Sequence, residues 1–278
     1  MAPSVLAEVV PDGVTSKDGL VKKDVGTGAL PTDPYRMVDT RLRDYALDVA
    51  VDKCMQEDGL SYPVTAFDWN DPNTSQFYRS GISKAFTVEY AMQFGYHNSP
   101  DDYNKRLRES SAVVGELSQD PAWDSAFSAC FEAALSQEPF SGEDEVVQDL
   151  APNIDGVPEL PELRAAAEKW RECMAPLGIA DLPEYPSLAD SVATKYGLSA
   201  PDSVEGVSAN NVLPEEIEIA VADAECRASS NYEQLLYDAH WNGAEDIIAK
   251  NSGEYSARLE AINAQNQKYK DYIQNANR

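Results

Sequence analysis

Two stretches decide how this chain is read: Cys54-Met55-Gln56-Glu57-Asp58-Gly59-Leu60 and Cys173-Met174-Ala175-Pro176-Leu177-Gly178-Ile179. Both have the form C-M-x-x-x-G-[L/I] and both close an amphipathic stretch. Working outward, each is followed by a Tyr-Pro pair, Tyr62-Pro63 and Tyr185-Pro186. Next comes a basic residue, any residue, glycine and a branched aliphatic, Arg79-Ser80-Gly81-Ile82 and Lys195-Tyr196-Gly197-Leu198. Each series then supplies one more cysteine, Cys130 or Cys226. The same features in the same order read as an internal duplication.

The four cysteines lie on helical periodicities. Leu47, Ala50, Val51 and Cys54 follow i, i+3, i+4, i+7, as do Trp123, Ala126, Phe127 and Cys130. Leu163, Ala166, Ala167 and Trp170 lead to Cys173, one step beside its stripe, and Ile219, Ala222 and Cys226 repeat the pattern. An even set with no C-x-x-C spacing argues against zinc or dithiol redox chemistry and for disulfides in an oxidising compartment. Four cysteines allow three pairings; the duplication selects Cys54–Cys130 and Cys173–Cys226. In each copy the glycine takes the left-handed turn after the helix, and a later helix returns to be locked by the second cysteine.

The expected fold is therefore mainly α: a disulfide-stapled helical protein with two related halves, long Pro-rich connections and a long C-terminal helix. Residues 1–33 read as a flexible N-terminal tether, with room for a short strand or docked segment. The first helical half covers 34–150. The second covers 151–278 and includes the C-terminal helix. Helices are predicted over about 36–58, 83–94, 100–118, 121–137, 161–175 and from Pro214 through Cys226. Another runs from Asn231 to Asn277, broken near Asn251-Ser252-Gly253. Pro161 and Pro214 suit first turns, and Gly59 and Gly178 suit helix ends. Tyr255, Leu259, Ile262, Asn266, Tyr269 and Ile273 form a short a/d-like seam, which predicts packing on its own domain, with self-association as the alternative.

Composition narrows the function. The 278 residues carry 48 acidic and 22 basic side chains, a net charge of −26, with 43% hydrophobic and 25% charged residues. Such a field repels phosphate backbones and anionic lipids, so nucleic acid is not an expected partner. It suits basic peptides, cationic small molecules or loosely held divalent ions. No apolar run is long enough to span a bilayer. Met1-Ala2-Pro3-Ser4 has neither a basic n-region nor a long h-region, which leaves a cytosolic protein or an exported one whose leader is absent from this chain; the cysteines favour the exported one.

With those residues in place, the chain resembles a group of uncharacterised exported proteins and lipoproteins of Streptomyces-like actinobacteria. The resemblance rests on the paired C-M-x-x-x-G segments, the entry Leu30-Pro31-Thr32-Asp33-Pro34-Tyr35, and the helix Ala220-Val221-Ala222-Asp223-Ala224-Glu225-Cys226 with the stretch 231–241 after it. It implies export and a role at the cell envelope, and it implies no chemistry. A lipid anchor would need a lipobox cysteine, and this sequence carries none at its N-terminus.

No cofactor motif emerges. His97 lies in the turn-like Gly95-Tyr96-His97-Asn98-Ser99-Pro100 and His240 beside Trp241, neither in H-E-x-x-H. Gly81-Ile82-Ser83-Lys84-Ala85 misses G-x-S-x-G by its last residue. Asp68, Asp71 and Asn73 are a weak candidate for a calcium loop. Asn153, Asp155, Gly156 and Glu162 fit an EF-hand in part, with Ala151 where the first ligand belongs. Phe67, Trp69, Phe77 and Tyr78 are the candidate ligand-binding residues, an aromatic group among acids; Phe86, Tyr90, Phe94 and Tyr96 follow. The expected function is a non-catalytic cell-envelope protein that binds a protein, peptide or cell-wall partner. The alternatives are a carboxylate-dependent enzyme acting on cell-wall polymer and a self-assembling structural component of the envelope.

Overall fold

A computed structural model describes residues 13–65, 85–97, 102–148, 160–198 and 212–276. It is mainly helical, and among the described residues the β structure is one isolated bridge, Thr15 to Lys22. The helices are α1 (Thr40–Glu57), α2 (Val88–Phe94), α3 (Asp102–Leu117), α4 (Pro121–Leu135), α5 (Asp144–Val147), α6 (Pro161–Met174), α7 (Asp190–Lys195), α8 (Pro214–Ser230), α9 (Tyr232–Lys250) and α10 (Ser252–Ala276). Their ends follow local chemistry. The Asp39 side chain accepts from the Arg41 N–H at the start of α1, and Asp120 accepts from Ala122 before α4, which opens on Pro121. Asn231 ends α8 in the left-handed region, at φ 59°.

Both cysteine pairs are disulfides, Cys54–Cys130 and Cys173–Cys226, each with Cα atoms 5.6 Å apart, and no cysteine is free. The chain forms two compact units, one around each disulfide. They do not follow chain order. The Cys54 unit holds 34–65, 102–148 and 250–276; the Cys173 unit holds 13–33, 85–97, 160–198 and 212–249. Two parts of the expected organisation change as a result. The long C-terminal helix, α10, packs in the first unit rather than the second, and residues 13–33 are not a free tether.

In the Cys54 unit, α1 packs on α4 and α10. Val38, Leu42, Ala46, Leu47, Val51 and Met55 meet Trp123, Cys130 and Ala134 of α4 and Tyr269 of α10 in one apolar core. The sequence seam explains why α10 belongs here. Ile262 and Tyr269 are buried, Tyr255 sets its ring edge-on to Tyr35, and Asn266 Oδ1 accepts from the Asp39 N–H at 2.9 Å. The seam is thus occupied within the chain. Residues 138–148 also join this core: Phe140 is buried, and Glu143 accepts from Arg43 and from the Tyr269 hydroxyl.

In the Cys173 unit, α6 packs on α8, and α2 packs on α8 as well. Leu163, Ala166 and Ala167 of α6 meet Tyr232 and Ala239 of α9, while Trp170, Met174 and Cys226 form a second cluster with Ile179 and Leu182 beside them. Val21 and Leu30 of the N-terminal segment pack on Tyr237, Trp241 and Ala244. The turn glycines behave alike in both copies: Gly59 has φ +74° and Gly178 has φ +67°. The methionines after the helical cysteines, Met55 and Met174, are both core residues.

Candidate functional site

Counting back ten and six residues from the helical cysteine of each copy compares the same helix face. In α1 these positions are Asp44 and Asp48; in α6 they are Leu163 and Ala167. Leu163 and Ala167 are buried under α9. Asp44 and Asp48 instead line a cleft of about 300 Å³, with Leu47, Tyr62, Thr65, Ser110, Ser111 and Val114. The second copy closes this face with a helix of its own. In the first, among the described residues, it is a polar recess.

The cleft wall is built from α1, the extended segment after Gly59 and the C-terminal half of α3. Asp48 holds that segment in place: Oδ1 accepts from the Tyr62 hydroxyl at 3.1 Å and Oδ2 from the Thr65 N–H at 3.0 Å. Asp52, one turn on, accepts from the Tyr62 N–H at 3.1 Å. Tyr62 also stacks on Phe127, 5.6 Å between centroids, which continues to Trp123. Burial pushes the Asp48 carboxyl above its ordinary range, with the hydrogen bonds from Thr65 and Tyr62 opposing. The same burial, with the Asp48 charge beside it, pushes the Tyr62 phenol up. A carboxylate here, held by neutral donors in a cleft that four hydroxyl-bearing side chains line, suits a cation or a hydrogen-bonding polar ligand.

A second polar cluster, in the Cys173 unit, is structural. Asp223 Oδ1 accepts from Trp170 Nε1 at 2.7 Å and Arg227 Nε at 2.8 Å, and its Oδ2 accepts from Arg227 Nη2 and the Tyr96 hydroxyl, both at 3.1 Å. Glu216 accepts from the Tyr96 N–H at 2.9 Å and lies 3.1 Å from His97 Nε2. His97 Nδ1 is buried without a hydrogen-bond partner. These bonds tie α2 to α8. His240 is partly buried, and that burial lowers its pKa. Among the described residues no three His, Cys, Asp or Glu side chains are placed to hold a metal ion.

Phe67, Trp69, Phe77 and Tyr78, and with them Asp68, Asp71 and Asn73, lie outside the described residues, as do Asn153, Asp155 and Gly156. The second aromatic run fills a core: Phe86 stacks on Tyr96 at 5.3 Å and packs with Ala91, Ala220 and Ala224. The cleft residues were not singled out from the sequence. One signal could have found them, namely the carboxylates standing where the duplicate has apolar residues.

Fold and cleft together define a class: a disulfide-stapled helical protein in which one copy of a doubled unit carries a polar recess. Among the described residues no helix is long and apolar enough to cross a membrane. No protein-family model, no curated protein and no solved structure matches the chain.

Proposed function

We propose that the protein is exported and acts at the cell envelope as a non-catalytic binding protein, with the cleft over α1 receiving its partner. The cleft carries this reading, because the duplicated helix face is apolar and covered in one copy but, among the described residues, acidic and hydroxyl-lined in the other. Asp44 and Asp48 would recognise an ammonium or guanidinium group on a peptide, protein or wall component, within a field of net charge −26. Export is supported by two cystines that the reducing cytosol would not maintain, and by the resemblance to exported actinobacterial proteins.

Calorimetric titration of the purified chain with a lysine-rich peptide and with soluble, amine-bearing wall fragments tests the proposal. Binding is expected to weaken at least tenfold in Asp44→Asn/Asp48→Asn and to fall with added salt. Equal binding by that variant would remove the cleft from the account. Cleaved wall fragments in the same mixtures would favour an enzyme that uses these carboxylates.

A further inference from the structure

Lys23 and Asp238 are both fully buried and 215 residues apart in sequence, with Lys23 Nζ in contact with Asp238 Oδ1. Two aromatic rings of α9 flank the ammonium, Tyr237 at 5.4 Å and Trp241 at 5.8 Å from Nζ to centroid. Gln234 Nε2 donates to the same Oδ1 at 2.9 Å. Asp238 Oδ2 is buried and has no donor. Val21, Leu30 and Ala244 complete an apolar surround with the two rings.

A buried ion pair holds its charges well only when every lone pair is satisfied. Here one carboxylate oxygen is left bare within a fully buried, largely apolar surround. Passing one proton from Nζ to the carboxylate yields a nucleophile in contact with a carboxyl group that Gln234 polarises. We propose that Lys23 and Asp238 condense into an intramolecular amide, an isopeptide bond. The Nζ lone pair attacks Cγ and the C–N bond forms. The Cγ–Oδ2 bond breaks, and Oδ2 departs as water with the two protons that Nζ gives up. Oδ1 remains as the carbonyl oxygen, still accepting from Gln234. Ammonium plus carboxylate gives amide plus water, so no oxidant or cofactor is required. The oxygen that is lost is the one without a donor, and the apolar surround keeps out the water that would reverse the step. The product would bond the N-terminal segment covalently to α9 across nearly the whole length of the chain.

The intact mass of the full chain, reduced and unfolded, decides the matter. The expected value lies about 18 Da below the mass of the sequence, the loss of one water. Proteolysis should yield a branched peptide joining Lys23 to Asp238. Lys23→Arg keeps the cation but lacks the primary amine, and it should show full mass. A wild-type chain at full mass, a deficit that persists in Lys23→Arg, or a branch mapped to other residues would each overturn the proposal.

Discussion

Asp48 places two opposing electrostatic demands on one side chain. As a carboxylate it fastens the Tyr62–Thr65 segment to α1, yet burial holds its pKa above the unfolded value near 3.8. The native state therefore holds this proton more tightly than the unfolded chain does. The residue's contribution to stability is complete below the unfolded pKa and declines as pH rises through the folded one. Asp48→Asn, whose amide can serve both neighbours, is expected to be no less stable than wild type in urea melts at pH 7. Its relative advantage should shrink toward pH 3, and an advantage that grew with acid would reverse the sign argued here. His240 runs the other way: its lowered pKa means that its share of stability is lost as pH falls below the ordinary value of 6.5. In the buried polar cluster, Trp170→Phe removes a 2.7 Å donor from Asp223 and should cost about 1–3 kcal/mol in chemical denaturation. Gly95 combines φ +56° with an added Cβ only 2.4 Å from Glu216 Oε1. Gly95→Ala should cost more than about 1 kcal/mol, measured the same way.

At the scale of elements, the two copies place their long helices on different faces of equivalent helices. α9 covers Leu163, Ala166 and Ala167 of α6, whereas α10 and α4 cover the Leu42, Ala46 and Val51 side of α1. A reciprocal pair of substitutions follows. Ala167→Asp puts a carboxylate under α9 and should cost at least about 3 kcal/mol of stability. Asp48→Ala changes a wall that already meets solvent and should cost no more than about 1 kcal/mol, the worth of its hydrogen bonds. Equal costs in thermal melts would mean that the two faces are not differently used. The helices themselves were largely legible in the sequence. Pro121, Pro161 and Pro214 start α4, α6 and α8, the break near Asn251 separates α9 from α10, and α1 begins at Thr40 rather than near Arg36, behind its Asp39 cap. The short α5 and α7 were not read, because four and six residues carry too little periodicity to register.

For the whole molecule, local pattern identified the elements but not their destinations. The a/d seam of α10 marks an apolar face without saying which helix receives it, and the answer is α1, some two hundred residues earlier. Residues 13–33 look like linker by composition, yet Lys23 and Leu30 are drawn to partners on α9 that no neighbouring residue reveals. The cleft escaped notice for the same reason, since Asp44 and Asp48 become distinctive only when set against Leu163 and Ala167. The disulfides were legible because duplication supplied what distance in sequence conceals. They close 76 and 53 residues and should stabilise the folded chain by roughly 4 kcal/mol each on the chain-entropy model. Replacing either pair with alanine should lower the denaturation midpoint accordingly.

The two cystines hold the doubled architecture together, and a peptide map tests them most directly. Protein recovered from the extracellular or envelope fraction of its own host would be alkylated and digested without reductant. The expected map has two cystine peptides, Cys54 with Cys130 and Cys173 with Cys226, and no alkylated thiol. Alkylated cysteines, or a peptide joining Cys54 or Cys130 to Cys173 or Cys226, would contradict the doubled, oxidised architecture.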